Sequence, residues 1–536
     1  MFTRQRTFLL TLGILFISCA TLPRQELKNE SLPKRVEEKS EVNPDALQHF
    51  MDGQFYMSEG NYAMAVLEFQ DALIIDPNIS TIHISLGESY WHLGKTEHSE
   101  YHLKKAIALD STDIEPRELL AGQYLMRKQF DFARDQFLSL RTLDAENIDY
   151  ILALADIAKI EKQFDEAVIL YRKAYEINSE ASHALEAAVE IYLNQKKYVS
   201  AQDVISTLIF ENPKNIHYRQ ALAEIAVLNG DLKIALESLQ QIINIQGADP
   251  EILSQIGLLH YELKNTEAAL EVFLDVVDID STHQSALHSL STIFREEENS
   301  TDSKYFAEKM IAVDSLDSSG YANAALAAML DDDYLYVIAL LSDVSQRFIE
   351  DYTIQYLLGV SYELEKQYEN ALPYLEQALH LWPESRNTLH TLAIVYDNTE
   401  RWSQSDSAYT QLIETDSTDA QAYNNYAYSL IERDGNPELA KSLSKKAITL
   451  EPESAAYLDT YGWICFQLDD IDSALYYIRR SVEIEETNAE VLEHLGDVLL
   501  ILGKDEEAIG YFKKALQYDP NNIELIEKIS HDKPSH

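Results

Sequence analysis

His98 and His102 stand four residues apart in a stretch with helical spacing, so both imidazoles would share one helix face, as two ligands of a zinc ion can. No third ligand in a matching register accompanies them, and fifteen histidines spread along the chain generate such a pair without a site. Asp110-Ser111-Thr112-Asp113 and Asp416-Ser417-Thr418-Asp419 put carboxylates and hydroxyls at spacings like those of a calcium loop. Both strings lack the glycine and the distal glutamate of such a loop, and serve better as helix caps. Cys465, inside YGWICFQL, reads as a small thiol used as a core residue. No phosphate-binding glycine loop and no G-x-S-x-G or H-E-x-x-H string occurs. The residues therefore offer no catalytic, cofactor or metal constellation, and neither turnover nor a small-molecule substrate is expected.

Charge narrows the partners. The 536 residues include 90 Asp and Glu against 43 Lys and Arg, a formal net charge of −47. A field of that sign repels nucleic-acid phosphates and attracts basic proteins and cationic segments; it also keeps an extended surface soluble.

The N-terminus reads as an address. Arg4 and Arg6 precede an apolar run from Phe8 to Ile17, broken only by Thr11 and Gly13. Ten helical residues span about 15 Å, half a bilayer core, so the run is a signal segment and not a spanning helix. Its end, Phe16-Ile17-Ser18-Cys19, resembles the lipobox of bacterial lipoproteins, although Phe16 stands where Leu is more usual. The resemblance implies a signal peptide over 1–18, cleavage before Cys19 and lipidation of Cys19. Ala20, where Asp could stand, implies an outer-membrane lipoprotein facing the periplasm. Residues 20–45 are polar, mixed in charge and contain three prolines, which makes 19–45 a lipidated cysteine followed by a flexible tether.

The rest of the chain is repetitive. Steps of 34 from Gly53 reach Gly87, Ala121, Ala155, Val189, Ala223, Gly257, Ser291, Ala325, Gly359, Ala393 and Ala427; one inserted residue near Gly435-Asn436-Pro437 shifts the last two to Gly462 and Gly496. Twelve residues beyond each, or thirteen beyond Ala427 across the insertion, lies a second column, Ala65, Ser99, Ala133 and onward to Ala508, in which every member but Val337 is Ala or Ser. Small side chains in phase mark where two helices cross closely. Large residues flank them at helical offsets: Tyr56, Tyr90 and Tyr124 three after the first column, and Phe69, Phe137, Tyr171 and Phe273 four after the second. Units close with Asp-Pro, Asn-Pro, Glu-Pro or Asp-Ser, which stop one helix and cap the next. The expectation is an all-α array of about fourteen helical hairpins over 46–522, with Ile523, Ile526 and Ile529 marking a capping helix within 523–536. The units over about 285–351 depart furthest: Ala307 replaces the large residue, Val337 the small one, and acidic runs fall at the turns, so a bend or softer joint is expected there.

The best-formed units, LGESYWHLGKTEHSEYHLKKAIALDS (86–111) and LGDVLLILGKDEEAIGYFKKALQYDP (495–520), resemble the tetratricopeptide repeat, whose pattern is L-G-x-x-Y…A-x-x-x-F-x-x-A…P over 34 residues. The resemblance implies an α-solenoid, a right-handed superhelix whose concave groove is lined by the first helix of each pair and binds proteins or extended peptides. The positions that it places on the groove are Phe50, Met57, Glu88 and Trp91 near the N-terminus, and Tyr356, His390, Asn424, Asn425, Tyr428, Asp459, Trp463, Glu493 and Asp497 in the C-terminal half. Asn424 and Asn425 match part of the clamp with which some members hold a C-terminal carboxylate, but the lysines of that clamp are absent. The function expected is a lipid-anchored scaffold for protein–protein interaction in the bacterial cell envelope. The alternative is an accessory lipoprotein of polysaccharide export or outer-membrane assembly.

Overall fold

The computed structural model describes residues 43–433 and 435–530. The expected signal peptide, Cys19 and all but the end of the tether lie outside the described residues, as does the tail after Ser530. Among the described residues there are 29 α-helices and no strand. None of these helices is long and apolar enough to cross a membrane. The first begins at Pro44, two residues before the expected start of the array, where the Asn43 side chain accepts from the Asp45 amide. They run as fourteen antiparallel pairs, from Pro44–Ser58 with Tyr62–Ile75 to Ala489–Ile501 with Asp505–Tyr518, followed by a single helix, Ile523–Ser530. The chain divides into two compact units, one ending at Ala188 and the other beginning at Val189. In each, successive pairs stack on their neighbours and the core runs through the stack as a series of local clusters.

One contact explains why the pairs form. All fourteen residues of the second small column, including Val337, are 0% exposed. The large residue four places later reaches across the hairpin to the first column. A methyl group added to Gly53 would lie 2.5 Å from Phe69, one on Gly257 2.7 Å from Phe273, and one on Gly496 2.3 Å from Phe512. Glycine there makes room for a ring, and where the first column carries Ala, as at Ala121 and Ala155, the methyl is itself buried. Two of the three serines in the second column satisfy their hydroxyls across the same crossing. Ser99 Oγ donates to the Gly87 carbonyl at 2.6 Å, and Ser303 Oγ to that of Ser291 at 2.8 Å.

Turns repeat with the same period. Seven residues after the first column, thirteen of the fourteen hairpins have a described left-handed residue, with φ between 54° (Asp332) and 83° (Gly230). Four of these are glycines; the others are Lys, Glu or Asp. The next amide closes the turn on the carbonyl five residues back, as in Asn61 to Tyr56 and Gln129 to Tyr124, both 2.8 Å. Between hairpins, the Asp-Ser-Thr strings are closed locally: Asp110, Asp280 and Asp416 each accept from the amide and hydroxyl of the threonine two residues on. Those bonds hold the three carboxyls below their ordinary pKa. Asp419 then caps the helix Ala420–Glu432 by accepting from the Ala422 amide.

The expected departure over 285–351 is confined to its second half. In the pair Gln284–Glu296 and Ser300–Val313, Phe306 takes over from the small Ala307 and stacks on Phe294 with ring centres 5.7 Å apart. The next pair differs, because its second helix, Tyr334–Ser342, has only nine residues and gives way to turns up to Glu350. Buried Gln355 holds these turns, its amide donating to the carbonyls of Ser345 (2.9 Å) and Phe348 (3.0 Å).

Neighbouring pairs are joined by polar side chains of consecutive first helices, about one repeat apart. Gln220 meets Gln255, Tyr261 meets Glu296, His288 meets Asn323, Asp459 meets His494, and Glu493 meets Lys528 of the final helix. Burial would lower the His494 pKa, but the hydrogen bond and charge of Asp459 outweigh it and hold the imidazole above its ordinary value. Cys465 is fully buried and its thiol is pushed up by that burial, as a core residue.

Gly496→Ala is expected to destabilise its hairpin by about 1–3 kcal/mol through overpacking against Phe512. Gly510→Ala, in the same hairpin with nothing within 4 Å of the added methyl, should stabilise it by about 0.5–1 kcal/mol. Hydrogen exchange over residues 489–518 reads both signs. Gln355→Ala removes the Gln355 donor from the Ser345 carbonyl, while Phe348 keeps the Asp351 amide, and should cost about 1–3 kcal/mol, seen as faster exchange over 334–364. His494 should titrate above its unfolded value of about 6.5, so its stabilisation is complete below that pH and is lost as pH rises through the folded value. Carbon-edited spectra of histidine-labelled protein should show this midpoint lower in Asp459→Asn than in the wild type, since only the charges of Glu490 and Asp497 then oppose burial.

Candidate peptide-binding site

The first helices of the eleventh and twelfth pairs, Arg386–Asn398 and Ala420–Glu432, border a cavity of about 460 Å³ near their C-terminal ends. The second helix of the eleventh pair closes one side. It starts at Trp402, whose ring is 39% exposed, and contributes the buried Tyr409. Asp397 lies on the cavity wall, with one carboxylate oxygen accepting from Ser429 Oγ (2.7 Å) and the other from the Tyr409 hydroxyl (3.3 Å). Burial pushes the Asp397 carboxyl up despite these hydroxyls and nearby Arg433. Glu432, on the rim, is pushed up by burial and by repulsion from Glu490. Arg433 is the one cation among the lining residues, and its charge is committed: it pairs with Asp406 and lies 5.3 Å from the centre of the Trp402 ring. Asn425 and Tyr428, which is 38% exposed, complete the lining, and the Tyr428 hydroxyl donates to Glu490 at 3.2 Å. Behind them Asn424 is buried with its Oδ1 unpartnered among the described residues.

This arrangement can hold a polar or cationic group against two carboxylates and two aromatic faces.

Of the positions expected on the groove, only Asn425 and Tyr428 line this cavity. Several others are engaged within the chain. His390 is buried and shares Asp419 with Arg386, at 2.9 and 2.8 Å. Asp459 binds His494, on whose ring Trp463 stacks at 3.9 Å. Glu493 and Asp497 both hold Lys528, at 2.8 Å each. Tyr356 is half-buried and stacks on Tyr352 at 5.6 Å. Phe50 and Met57 belong to the edge of the first core cluster, and Phe50 rests 5.7 Å from Phe69. Glu88 and Trp91 are half-buried on the second pair. A polar residue on a first helix can thus be used by a neighbouring first helix, as Asp459 is by His494.

His98 and His102 lie beside a third histidine, His83. His102 is held to His83 through their Nδ1 atoms at 2.9 Å, and burial with the charges of His83 and His98 lowers its pKa to about 4. Ligand-type atoms of three residues do approach within 4.8 Å at His49, Glu68 and Asp71, where His49 and Glu68 form a half-buried pair at 2.8 Å. Sequence reasoning missed Asp397, Trp402, Glu432 and Arg433. The available signal was Trp402, the largest side chain opening any second helix.

Four stretches of the chain, 159–225, 250–283, 352–383 and 489–522, match tetratricopeptide-repeat family models. The chain is 24% identical over 221 residues to the BBSome complex member BBS4 of Bos taurus, a match covering 41% of this chain and 42% of that protein. It is 27% identical over 180 residues to a TPR repeat-containing protein of Pseudomonas aeruginosa, covering 32% and 30%. The chain thus spans less than half the length of these curated relatives. Among solved structures, the APC/C hetero-tetramer Cut9–Hcn1 is similar at 12% identity with a TM-score of 0.39, over 91% of this chain and 96% of that one. With the hairpins described above, the family matches establish that this is an all-helical protein carrying tetratricopeptide repeats.

Proposed function

We propose that the chain is a tetratricopeptide scaffold that binds segments of other proteins on its first-helix face, is held to a bacterial envelope membrane by acylated Cys19, and performs no chemistry of its own. The observation that carries the binding part is the cavity at Asp397, Trp402, Tyr428 and Glu432, which joins aromatic surface to carboxylates that no free cation neutralises. A relative named as a complex member supports the same reading. The membrane part rests on the residues before Ala20: a basic start, a short apolar run and a lipobox-like end. The proposed location is the outer membrane, with the array in the periplasm.

A photo-crosslinking amino acid at Tyr428 is expected to trap discrete envelope proteins in living cells, while the same group at the exposed Tyr476 on a second helix traps none of them. Equal trapping at both positions would argue against a first-helix site. Metabolic labelling with an alkyne fatty acid should mark the wild-type chain and not Cys19→Ala, and labelling of both would remove the anchor from the proposal.

A further inference from the structure

We propose that the cavity between the eleventh and twelfth hairpins takes the side chain of a lysine or arginine from the bound polypeptide, its charged head between Asp397 and Glu432 and its stem against Trp402 and Tyr428. This rests on the peptide-binding reading above and names what that site recognises.

Charge is the first argument. Two carboxylates line the cavity, and the single lining cation, Arg433, is bound to Asp406 on one side and to the Trp402 ring on the other. Each oxygen of Asp397 accepts one hydroxyl donor, which leaves lone pairs for a further donor. Shape is the second. Trp402 and Tyr428 remain more than a third exposed, and flat aromatic faces suit the methylene stem and the charge of a basic side chain.

The third argument is a precedent within the same chain. Lys528, arriving from the final helix, sets its ammonium 2.8 Å from Glu493 and 2.8 Å from Asp497, with the Phe512 ring centre 5.4 Å away. That is a lysine delivered by a neighbouring segment onto two carboxylates of a first helix and an aromatic ring of its paired second helix. At the cavity two carboxylates and aromatic rings are present, and the described chain supplies no such lysine. The net charge of −47 draws basic segments toward this surface from a distance. A chain-terminal carboxylate, by contrast, would be repelled by Asp397 and Glu432.

The test is selection from a random dodecapeptide library on the purified full chain at 150 mM salt, which screens long-range attraction. A selected peptide and its analogue with norleucine in place of the base are then titrated against wild type, Glu432→Gln and Asp397→Asn. Glu432 lies on the exposed rim, so Glu432→Gln keeps the test valid if Asp397→Asn fails to fold. The expected result is selected peptides rich in Lys and Arg, with about tenfold weaker binding on removing either the peptide base or Glu432, and no further loss on removing both. Selected peptides without bases, or losses that multiply, would overturn the proposal and leave the scaffold reading standing. A selection that returns no binding peptide would overturn both.

Discussion

The structure depends on a crossing at which one side has almost no side chain. Where Gly53, Gly257 or Gly496 faces Phe69, Phe273 or Phe512, the ring occupies the volume that a methyl would need. The contact is local, between residues sixteen apart, so each hairpin carries its own instruction. Turn geometry and caps are tied to it, since two helices held at that distance leave a short connection that must pass through a left-handed residue. Hydrophobic burial then accrues one pair at a time.

Polar residues on the first helices have a second task. They join one pair to the next across a spacing of about one repeat, and the final helix continues the series by offering Lys528 to Glu493 and Asp497. Side chains that look like ligand contacts are thereby used as joints. The cavity at Asp397 and Glu432 lies beside one such joint, where Ser429 Oγ donates to Asp397 at 2.7 Å.

Much of this was legible in the residues. The two columns gave the helix pairs, their crossing and their number, because a periodic constraint on side-chain volume survives when identities drift. Val337 marked the one pair whose second helix is cut short. The site was less legible. His390, Asp459, Glu493 and Asp497 occupy positions correct for a groove, yet each is claimed by a residue about 29 to 35 places away, and that choice depends on rotamers, not on spacing. Asp397 and Trp402 were overlooked because they lie at helix ends, outside the columns. Phe306 compensates for Ala307 one residue early, a substitution that a strict register hides.

The left-handed turn residues have a consequence for how such a chain comes to be folded. Nine of the described positions hold Lys, Glu or Asp in a backbone conformation that costs an L-residue about 1 kcal/mol, where glycine would be nearly free. A solitary hairpin carries that cost with only one neighbourless crossing to offset it, so order has to arrive cooperatively, from the docking of adjacent pairs. A polypeptide built in this way stays pliable while few of its modules have emerged and becomes rigid once enough of them can lean on each other.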